Sequence, residues 1–304
     1  MTALPGIAQA QSAPTVVKAS WTPSDLSSPG FYAKDLGYLK DAGIDLQIAP
    51  NTSGAAVAAA VASGSIEIGF SNLLALVVAF EKGIPFTMIA SGNLAIAGPH
   101  PAIGLLSVKS SSPMRRAKDF EGKTVAVDSL GSFSVPGVRN WMDKNGADSS
   151  TVHFVELPYS AMPAAIIADR VDAGCLTYPA DPTLGQPGDA LRLVAGVYNV
   201  IAQRFLFTAW FSTSAWVAAH PDVARRFATT IRRASAWGNS HQTEGAAILA
   251  KYVGQTPAQI DAAPRAIYGT ELTPSLVQPT IDLLAKYRII HSVFPASEMI
   301  AKLT

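Results

Sequence analysis

The chain contains one cysteine, Cys175, among its 304 residues. An intramolecular disulfide framework and a cysteine-based zinc site are therefore excluded. Charged residues make up 15% of the sequence, well below the roughly 25% of ordinary globular proteins, which argues against a coiled coil. The 23 basic and 22 acidic residues leave a net charge of +1, which provides no broad positive surface for a phosphate backbone. We therefore do not expect nucleic acid as a partner.

Long apolar runs are also missing. The segment 73–80 is closed by Glu81 and Lys82, so no stretch reaches the ~18 residues of a membrane span. The first residues are small and uncharged, and Ala8-Gln9-Ala10 fits the small-x-small pattern that signal peptidase cleaves. We interpret residues 1–12 as a residual export signal or disordered tail and expect a periplasmic protein. The alternative is a disordered start of a cytosolic chain.

Catalytic patterns are absent as well. Gly122-Lys123-Thr124 resembles the end of a P-loop, but Ala117 stands where that motif requires a glycine. Neither a G-x-S-x-G elbow nor a Ser/Lys acylase pair occurs. The five histidines are scattered, without the spacing of metal ligands or of a catalytic base. The sequence therefore predicts no catalytic residue, no metal ligand and no cofactor.

What the sequence does contain is a regular alternation of strands and helices. In the first unit the predicted strands are 16–21, 44–48, 66–70 and 86–90, and the helices are 31–42, 55–62 and 72–82. In the second unit the strands are 124–127, 152–156 and 173–177, with helices to about 144 and over 161–168. Beyond residue 212 the chain is mainly helical. This alternation predicts parallel sheets covered by helices on both faces, and the length suggests two domains.

The two units also echo each other in sequence. Residues 61–69 align without gaps with residues 166–174. Each copy is a helix end, a polar turn and a short apolar strand that carries one acid and closes on glycine. This repeat predicts two topologically similar α/β units in one chain.

Ligands of open parallel α/β sheets lie beyond the carboxyl ends of the strands, where helix N-termini point outward. At those places this sequence has mostly hydroxyls, amides and glycines, which could together bind an anion, and aromatic residues that could form the walls. Taken singly, each polar residue could be only a helix cap and each aromatic only core. Asp25 and Asp181 would fit a cationic substituent. The candidate ligand-binding residues are Trp21, Asp25, Ser27, Ser28, Ser53, Gly54, Ser71, Asn72, Ser129, Gly131, Ser132, Phe133, Tyr159, Tyr178, Asp181 and Trp210.

Four segments, residues 31–46, 64–72, 74–83 and 120–127, resemble a known family. It comprises the extracytoplasmic solute-binding proteins of ABC importers for nitrate, sulfonates, taurine and thiamine-pyrimidine precursors. The resemblance spans about residues 16–217. The C-terminal region resembles the family only in being helical. None of these motifs identifies the solute.

The resemblance implies an α/β, two-lobe periplasmic-binding-protein fold (type II). Each lobe would be a mainly parallel sheet flanked by helices, and two hinge strands, 103–108 and 205–212, would join the lobes. Lobe 1 would comprise 13–106 plus 210–304, and lobe 2 would comprise 107–209. Hinge closure would trap the solute, and a membrane permease would recognise the closed, monomeric protein.

Binders of nitrate and sulfonate often place a basic side chain near the anion, yet the candidate loops hold none. Arg139 and Arg204 are the nearest candidates. Without them the anion would rely on N–H groups and hydroxyls, which favours an organosulfonate such as taurine or an alkanesulfonate, or an aromatic or alkyl carboxylate, over nitrate. The alternative is an enzyme or binder for a thiamine-pyrimidine precursor on the same fold, for which the resemblance implies a cysteine-rich site. A LysR-type effector domain would need a DNA-binding segment ahead of it, and only about fifteen residues precede the first strand.

Overall fold

Strands and helices alternate through most of the chain. A computed structural model describes residues 13–50, 54–99, 101, 103–177 and 188–303. The strands are β1 (Thr15–Trp21), β2 (Ile44–Pro50), β3 (Ile68–Asn72), β4 (Phe86–Ser91), β5 (Asn93–Ile96), β6 (Ile103–Lys109), β7 (Thr124–Val127), β8 (His153–Glu156), β9 (Ala173–Thr177), β10 (Leu191–Gly196), β11 (Arg204–Leu206), β12 (Thr208–Thr213) and β13 (Ile267–Tyr268). The helices are α1 (Ser28–Asp35), α2 (Tyr38–Asp41), α3 (Gly54–Ala62), α4 (Leu73–Glu81), α5 (Ser134–Lys144), α6 (Met162–Ile167), α7 (Ser214–Ala219), α8 (Pro221–Ser240), α9 (Gln242–Leu249), α10 (Pro257–Asp261) and α11 (Pro274–Lys286).

Two five-stranded sheets have the same strand arrangement. The first has the order β2-β1-β3-β12-β4 and the second the order β8-β7-β9-β6-β10. In each sheet the first three strands are parallel, and the fourth runs antiparallel to both of its neighbours. The predicted α/β architecture with two mainly parallel, helix-flanked sheets is therefore confirmed. Within the described residues, no helix is both long and apolar enough to cross a membrane.

The repeated segment has the same local geometry in both copies. Gly64 and Asp169 occupy equivalent positions after α3 and α6, and both have positive φ, 74° and 54°. Three residues later each copy carries an acid, Glu67 or Asp172, and the two acids have the same function. Glu67 accepts a 2.6 Å hydrogen bond from the backbone N–H of Lys18 on β1, and Asp172 accepts one of 2.9 Å from the first residue of β7. These acids fix strand ends, so their role is structural.

The chain crosses between the sheets twice. It leaves the first sheet after β4, runs through β5 and enters the second sheet as β6, then returns through β11 and enters the first sheet as β12. Between the sheets β5 and β11 pair antiparallel, with β13 on the other side of β5. The segment 103–108, expected to be a hinge strand, forms β6, which is paired on both sides in the second sheet. The segment 205–212 divides between β11 and β12.

A hydrogen-bonded link joins the lobes beside the crossing strands. Helix α11 packs on β11, and its end reaches α5 of the second lobe. Tyr287 donates a 2.6 Å hydrogen bond to Asp143, and the Lys286 ammonium lies 3.1 Å from Asn140 Oδ1 and 3.6 Å from the Asp143 carboxylate. Partial burial opposes ionisation of Asp143, but bonds from Ser149 and Tyr287 and the nearby Lys286 together hold its pKa below the usual value.

Removing the Tyr287 hydroxyl should weaken this link in a pH-dependent way. A lowered carboxyl pKa contributes stability above the unfolded-state pKa, and the contribution is lost as pH falls through the folded-state pKa. We expect Tyr287→Phe to lower the free energy of unfolding by about 1 kcal/mol at pH 7, and the difference from wild type to shrink below pH 4. Urea unfolding at pH 7 and pH 3 measures both values. Tyr38→Phe is the control, and an equal cost at both pH values would contradict the prediction.

Candidate functional site

A cavity of about 530 Å³ lies beside the crossing strands and has walls from both lobes. Strand β5 forms its floor with Asn93, Leu94, Ala95 and Ile96. The first lobe contributes the loop after β1 and the segments around α9 and α10, and the second lobe contributes Ile103, Thr177, Tyr198 and Asn199. Concave, largely aliphatic sites of this size with a few polar groups are typical of small-molecule binding.

Asp25 and Arg265 are the charged residues among the described residues that line this cavity. They form an ion pair of 2.7 Å, and Tyr268 donates a 3.0 Å hydrogen bond to the same carboxylate oxygen. Burial opposes the charge on Arg265, but Asp25 outweighs it and raises the pKa of the guanidinium. Burial and then the Asp25 carboxylate raise the pKa of Tyr268, so this phenol stays a donor at neutral pH. Asp25 and Arg265 therefore form an ion pair without net charge at the polar end of the cavity, and its orientation is fixed.

The two tryptophans predicted as ligand walls lie elsewhere. Trp21 and Trp210 have no exposed surface and pack edge-to-face, with ring centroids 4.9 Å apart. Phe31, Phe70 and Phe227 surround them between the first sheet and helices α1 and α8. Both side chains point to the helix-covered face of the sheet, and that places them in the core.

Two serines and an asparagine of the predicted site have local roles in the first lobe. The hydroxyl of Ser27 donates to the carbonyl of Thr22 (2.9 Å), and Ser28 is buried in the first turn of α1. Asn72 accepts a 2.9 Å hydrogen bond from the backbone N–H of Ala75 and so caps α4. These residues hold the loops in place and do not line the cavity.

Ser71 and Gly54 form a different arrangement. The Ser71 hydroxyl is buried, and it has no hydrogen-bond partner among the described residues. It lies beneath the first residue of α3, where a Cβ on Gly54 would stand 2.7 Å from the Ser71 oxygen. A side chain at this position would therefore force the Ser71 hydroxyl to rotate away from its present place. A buried hydroxyl without a partner at a helix N-terminus is suited to an anionic oxygen, because the N-terminus carries partial positive charge.

In the second lobe, predicted hydrogen-bond donors bond to a carboxylate of the protein, that of Asp128. Asp128 follows β7 and accepts hydrogen bonds from the hydroxyls of Ser132 (2.7 Å) and Ser134 (3.0 Å). Burial, followed by the Asp128 charge, raises the pKa of Tyr159, which also bonds to Asp128. The predicted anion donor Ser132 is thus already used, since its hydroxyl donates to Asp128.

The remaining second-lobe candidates are also held by the protein. The Ser129 hydroxyl accepts a 3.2 Å hydrogen bond from the N–H of Gly131. Phe133 is buried against Tyr198 and Phe207, with ring centroids 6.0 and 5.0 Å away. Three further candidates, Ser53, Tyr178 and Asp181, lie outside the described residues.

Neither of the arginines expected near an anion lines the cavity. Arg139 lies over the ring of Phe154, with its guanidinium carbon 5.7 Å from the centroid, and Arg204 is exposed on β11. The basic residue at the cavity is Arg265, which sequence reasoning missed. Its one local signal is a lone arginine in an otherwise apolar stretch, 262–267.

Cys175 is fully buried, and burial raises the pKa of its thiol to about 12. A thiol with such a pKa is protonated at neutral pH and is a poor nucleophile. In the described part of the chain, no cluster of three or more His, Cys, Asp or Glu side chains could hold a metal ion.

Comparison with known proteins agrees with this architecture. The family model described as NMT1/THI5 like matches residues 27–245. The 4-amino-5-hydroxymethyl-2-methylpyrimidine phosphate synthase THI11 of Saccharomyces cerevisiae is 27% identical over 163 residues, which are 51% of this chain and 43% of that protein. The chain thus matches less than half of this relative's length.

Solved structures show the same fold over nearly the whole chain. The periplasmic aliphatic sulphonate binding protein SsuA of Escherichia coli superposes with a TM-score of 0.77 at 18% identity, covering 96% of this chain and 93% of that one. The alkanesulfonate-binding protein SsuA of Xanthomonas axonopodis pv. citri, bound to MOPS, gives a TM-score of 0.72 at 19% identity and covers 96% and 99%. The two-lobe periplasmic-binding-protein fold implied by the sequence is confirmed.

Proposed function

Because the chain belongs to the NMT1/THI5-like family, we propose that it is an exported solute-binding protein that delivers a small organic solute to an ABC permease. The observation that carries the proposal is the cavity beside the crossing strands, which has walls from both lobes. A solute seated there contacts both lobes at once. It therefore favours the closed arrangement over the open one, because only the closed arrangement offers both sets of contacts.

In this proposal the anionic group of the solute binds to the first lobe. The support is the buried Ser71 hydroxyl beside the start of α3, since it can donate a hydrogen bond to an organosulfonate or carboxylate oxygen. The next residue, Asn72, is the register partner of Thr208, whose hydroxyl binds the N–H of Asn93 on the cavity floor (2.9 Å). Ser71 itself does not line the cavity. One strand spacing, about 5 Å, and the Thr208–Asn93 hydrogen bond separate Asn72 from this floor, and we propose that an alkyl or aromatic sulfonate or carboxylate bridges the interval from Ser71.

Replacing Ser71 should weaken solute binding without destabilising the fold. A hydrogen bond to a charged group contributes about 1.5–3 kcal/mol, so Ser71→Ala should raise the Kd for a bound sulfonate or carboxylate at least ~10-fold. Isothermal titration calorimetry measures this. Ser235→Ala is the matched control, because Ser235 also has a buried hydroxyl without a partner among the described residues, but on α8. Equal affinities of the two variants would remove Ser71 from the site.

The function itself is tested by a ligand screen with a structural readout. Taurine, alkanesulfonates, aromatic sulfonates and carboxylates, nitrate and pyrimidine precursors are compared by thermal shift, because a ligand that binds only the folded state raises Tm. The hit is then examined by small-angle scattering and mass spectrometry. One-to-one binding with a smaller radius of gyration and an unchanged ligand mass supports the proposal. Conversion of the ligand, or binding without compaction, contradicts it.

A second candidate is an enzyme or binder for a thiamine-pyrimidine precursor. The observation that favours it is the similarity to the yeast synthase over half of this chain. In the same screen, this candidate predicts that 4-amino-5-hydroxymethyl-2-methylpyrimidine or its phosphate binds more tightly than any sulfonate. A change in ligand mass would identify the enzyme, and an unchanged mass would identify the binder.

A further inference from the structure

In the ion pair at the cavity, the carboxylate is more exposed than the guanidinium. The Arg265 side chain is 4% exposed, whereas that of Asp25 is 26% exposed. All three guanidinium nitrogens of Arg265 already donate to the protein: Nε to Asp25 (2.9 Å), Nη1 to the carbonyl of Gln242 (2.8 Å) and Nη2 to the hydroxyl of Tyr32 (2.9 Å). The guanidinium of Arg265 is therefore not accessible to an anion that enters the cavity.

The Asp25 carboxylate retains capacity to accept hydrogen bonds. Among the residues that the structure describes, Oδ1 accepts hydrogen bonds from Arg265 and Tyr268, and Oδ2 accepts one of 2.6 Å from the backbone N–H of Ala266. A carboxylate has about four lone-pair sites, two on each oxygen. Arg265 and Tyr268 thus hold the group in one orientation, and Oδ2 keeps a position for a donor from the cavity.

The surroundings make that position selective. Leu94, Leu249, Val253 and Ile260 line the cavity with Asp25. Aliphatic walls lower the local dielectric, which strengthens a hydrogen bond that is made and penalises a carboxylate whose solvation is lost without one. A solute that displaces water from this end must therefore replace the lost hydrogen bonds with a donor of its own.

We infer that Asp25 is a specificity-determining residue, and that the solute places an amine, amidine or amino-heterocycle N–H against its Oδ2. This inference rests on the proposed function and extends it. The solute carries a nitrogen donor at the end opposite its anionic group, and its apolar body lies on the aliphatic wall. Arg265 and Tyr268 are positioning residues, because they orient Asp25 and do not reach the solute.

Two matched pairs of probes test this inference. In the first pair, 4-aminobenzenesulfonate and benzenesulfonate differ only in the nitrogen donor. In the second pair, benzylamine and benzyl alcohol carry no anionic group. Calorimetry on the full chain at pH 7 should give a Kd at least ~10-fold lower for the nitrogen-bearing member of each pair. Asp25→Asn should reduce that ratio to about 1, and Asp45→Asn, on the exposed part of β2, should preserve it.

The outcomes separate the inference from the proposed function. Equal affinities within each pair for the wild-type chain overturn the inference and leave anion capture standing. Tight binding of benzylamine without binding of either sulfonate supports the inference and overturns anion capture. If no probe binds, both fail. If Asp25→Asn does not fold, the wild-type ratios decide, and Asp25→Glu is expected to retain a preference for the nitrogen-bearing member.

Discussion

Replacing Trp210 by alanine should destabilise the first lobe by about 3–5 kcal/mol, the range for truncating a fully buried aromatic side chain. Its ring fills the space between the sheet and helices α1 and α8, where a Cβ on Gly30 would lie 2.7 Å from the ring edge. The indole N–H has no partner among the described residues, so Trp210→Phe, which keeps a ring and removes that donor, should cost less than half as much. Urea unfolding followed by circular dichroism measures both.

The control for this prediction is Trp216→Ala. Trp216 is half-buried and stacks on His220 at the surface, with ring centroids 5.1 Å apart. Its loss should cost under about 1 kcal/mol. The sequence pattern predicts Trp210 at the ligand, where truncation would weaken binding and spare stability. That result, if observed, would show that the ring lines the site and does not form the core.

The second large effect is expected at Gly92, between β4 and β5. Its N–H donates to the carbonyl of Thr208 (3.0 Å), and a Cβ there would lie 2.7 Å from that same carbonyl oxygen. Backbone cannot move aside as a flexible side chain can, so Gly92→Ala should cost about 3 kcal/mol, at the upper end for overpacking. Thermal or urea unfolding checks the value. The variant should also bind solute more weakly, because the next residue, Asn93, lines the cavity.

Gly98→Ala provides the comparison for Gly92. A Cβ at Gly98 meets no atom of the described residues within 4 Å, so this substitution should leave both stability and affinity within about 0.5 kcal/mol of wild type. If both glycines tolerate alanine equally well, the entry to β5 is more adaptable than the tight approach to Thr208 indicates.

Local pattern predicted the parallel part of both sheets well. Strands β7 and β9 and the end of helix α5 lie where the sequence places them, because their apolar periodicity and turn residues act within one element. The predicted helix 31–42 is divided, since Gly37 has φ +77° and starts a new turn. The short crossing strands were harder to predict, because β5 and β11 are defined by pairing between residues about 110 positions apart.

Contacts between residues distant in sequence also limited the prediction of the candidate site. Asp25, predicted from the sequence as a ligand-binding residue, lines the cavity. A strand end, by contrast, does not reveal which face of the sheet a tryptophan takes. Trp21 and Trp210 are in the core because α1 and α8, distant in sequence, cover their face. Arg265 pairs with a residue 240 positions earlier. Such contacts depend on the packing of whole helices and have no local signature.

The order of strands has a consequence for how the protein is made. The second sheet is built from residues 103–196 without interruption, whereas the first needs β12 between β3 and β4. A nascent chain that has not yet reached Thr213 therefore exposes two strand edges that face a gap, and unpaired edges readily associate with other chains. The N-terminal half must wait for the rest of the polypeptide before it can become stable. In the exported role that we propose, this delay would keep the polypeptide unfolded for translocation.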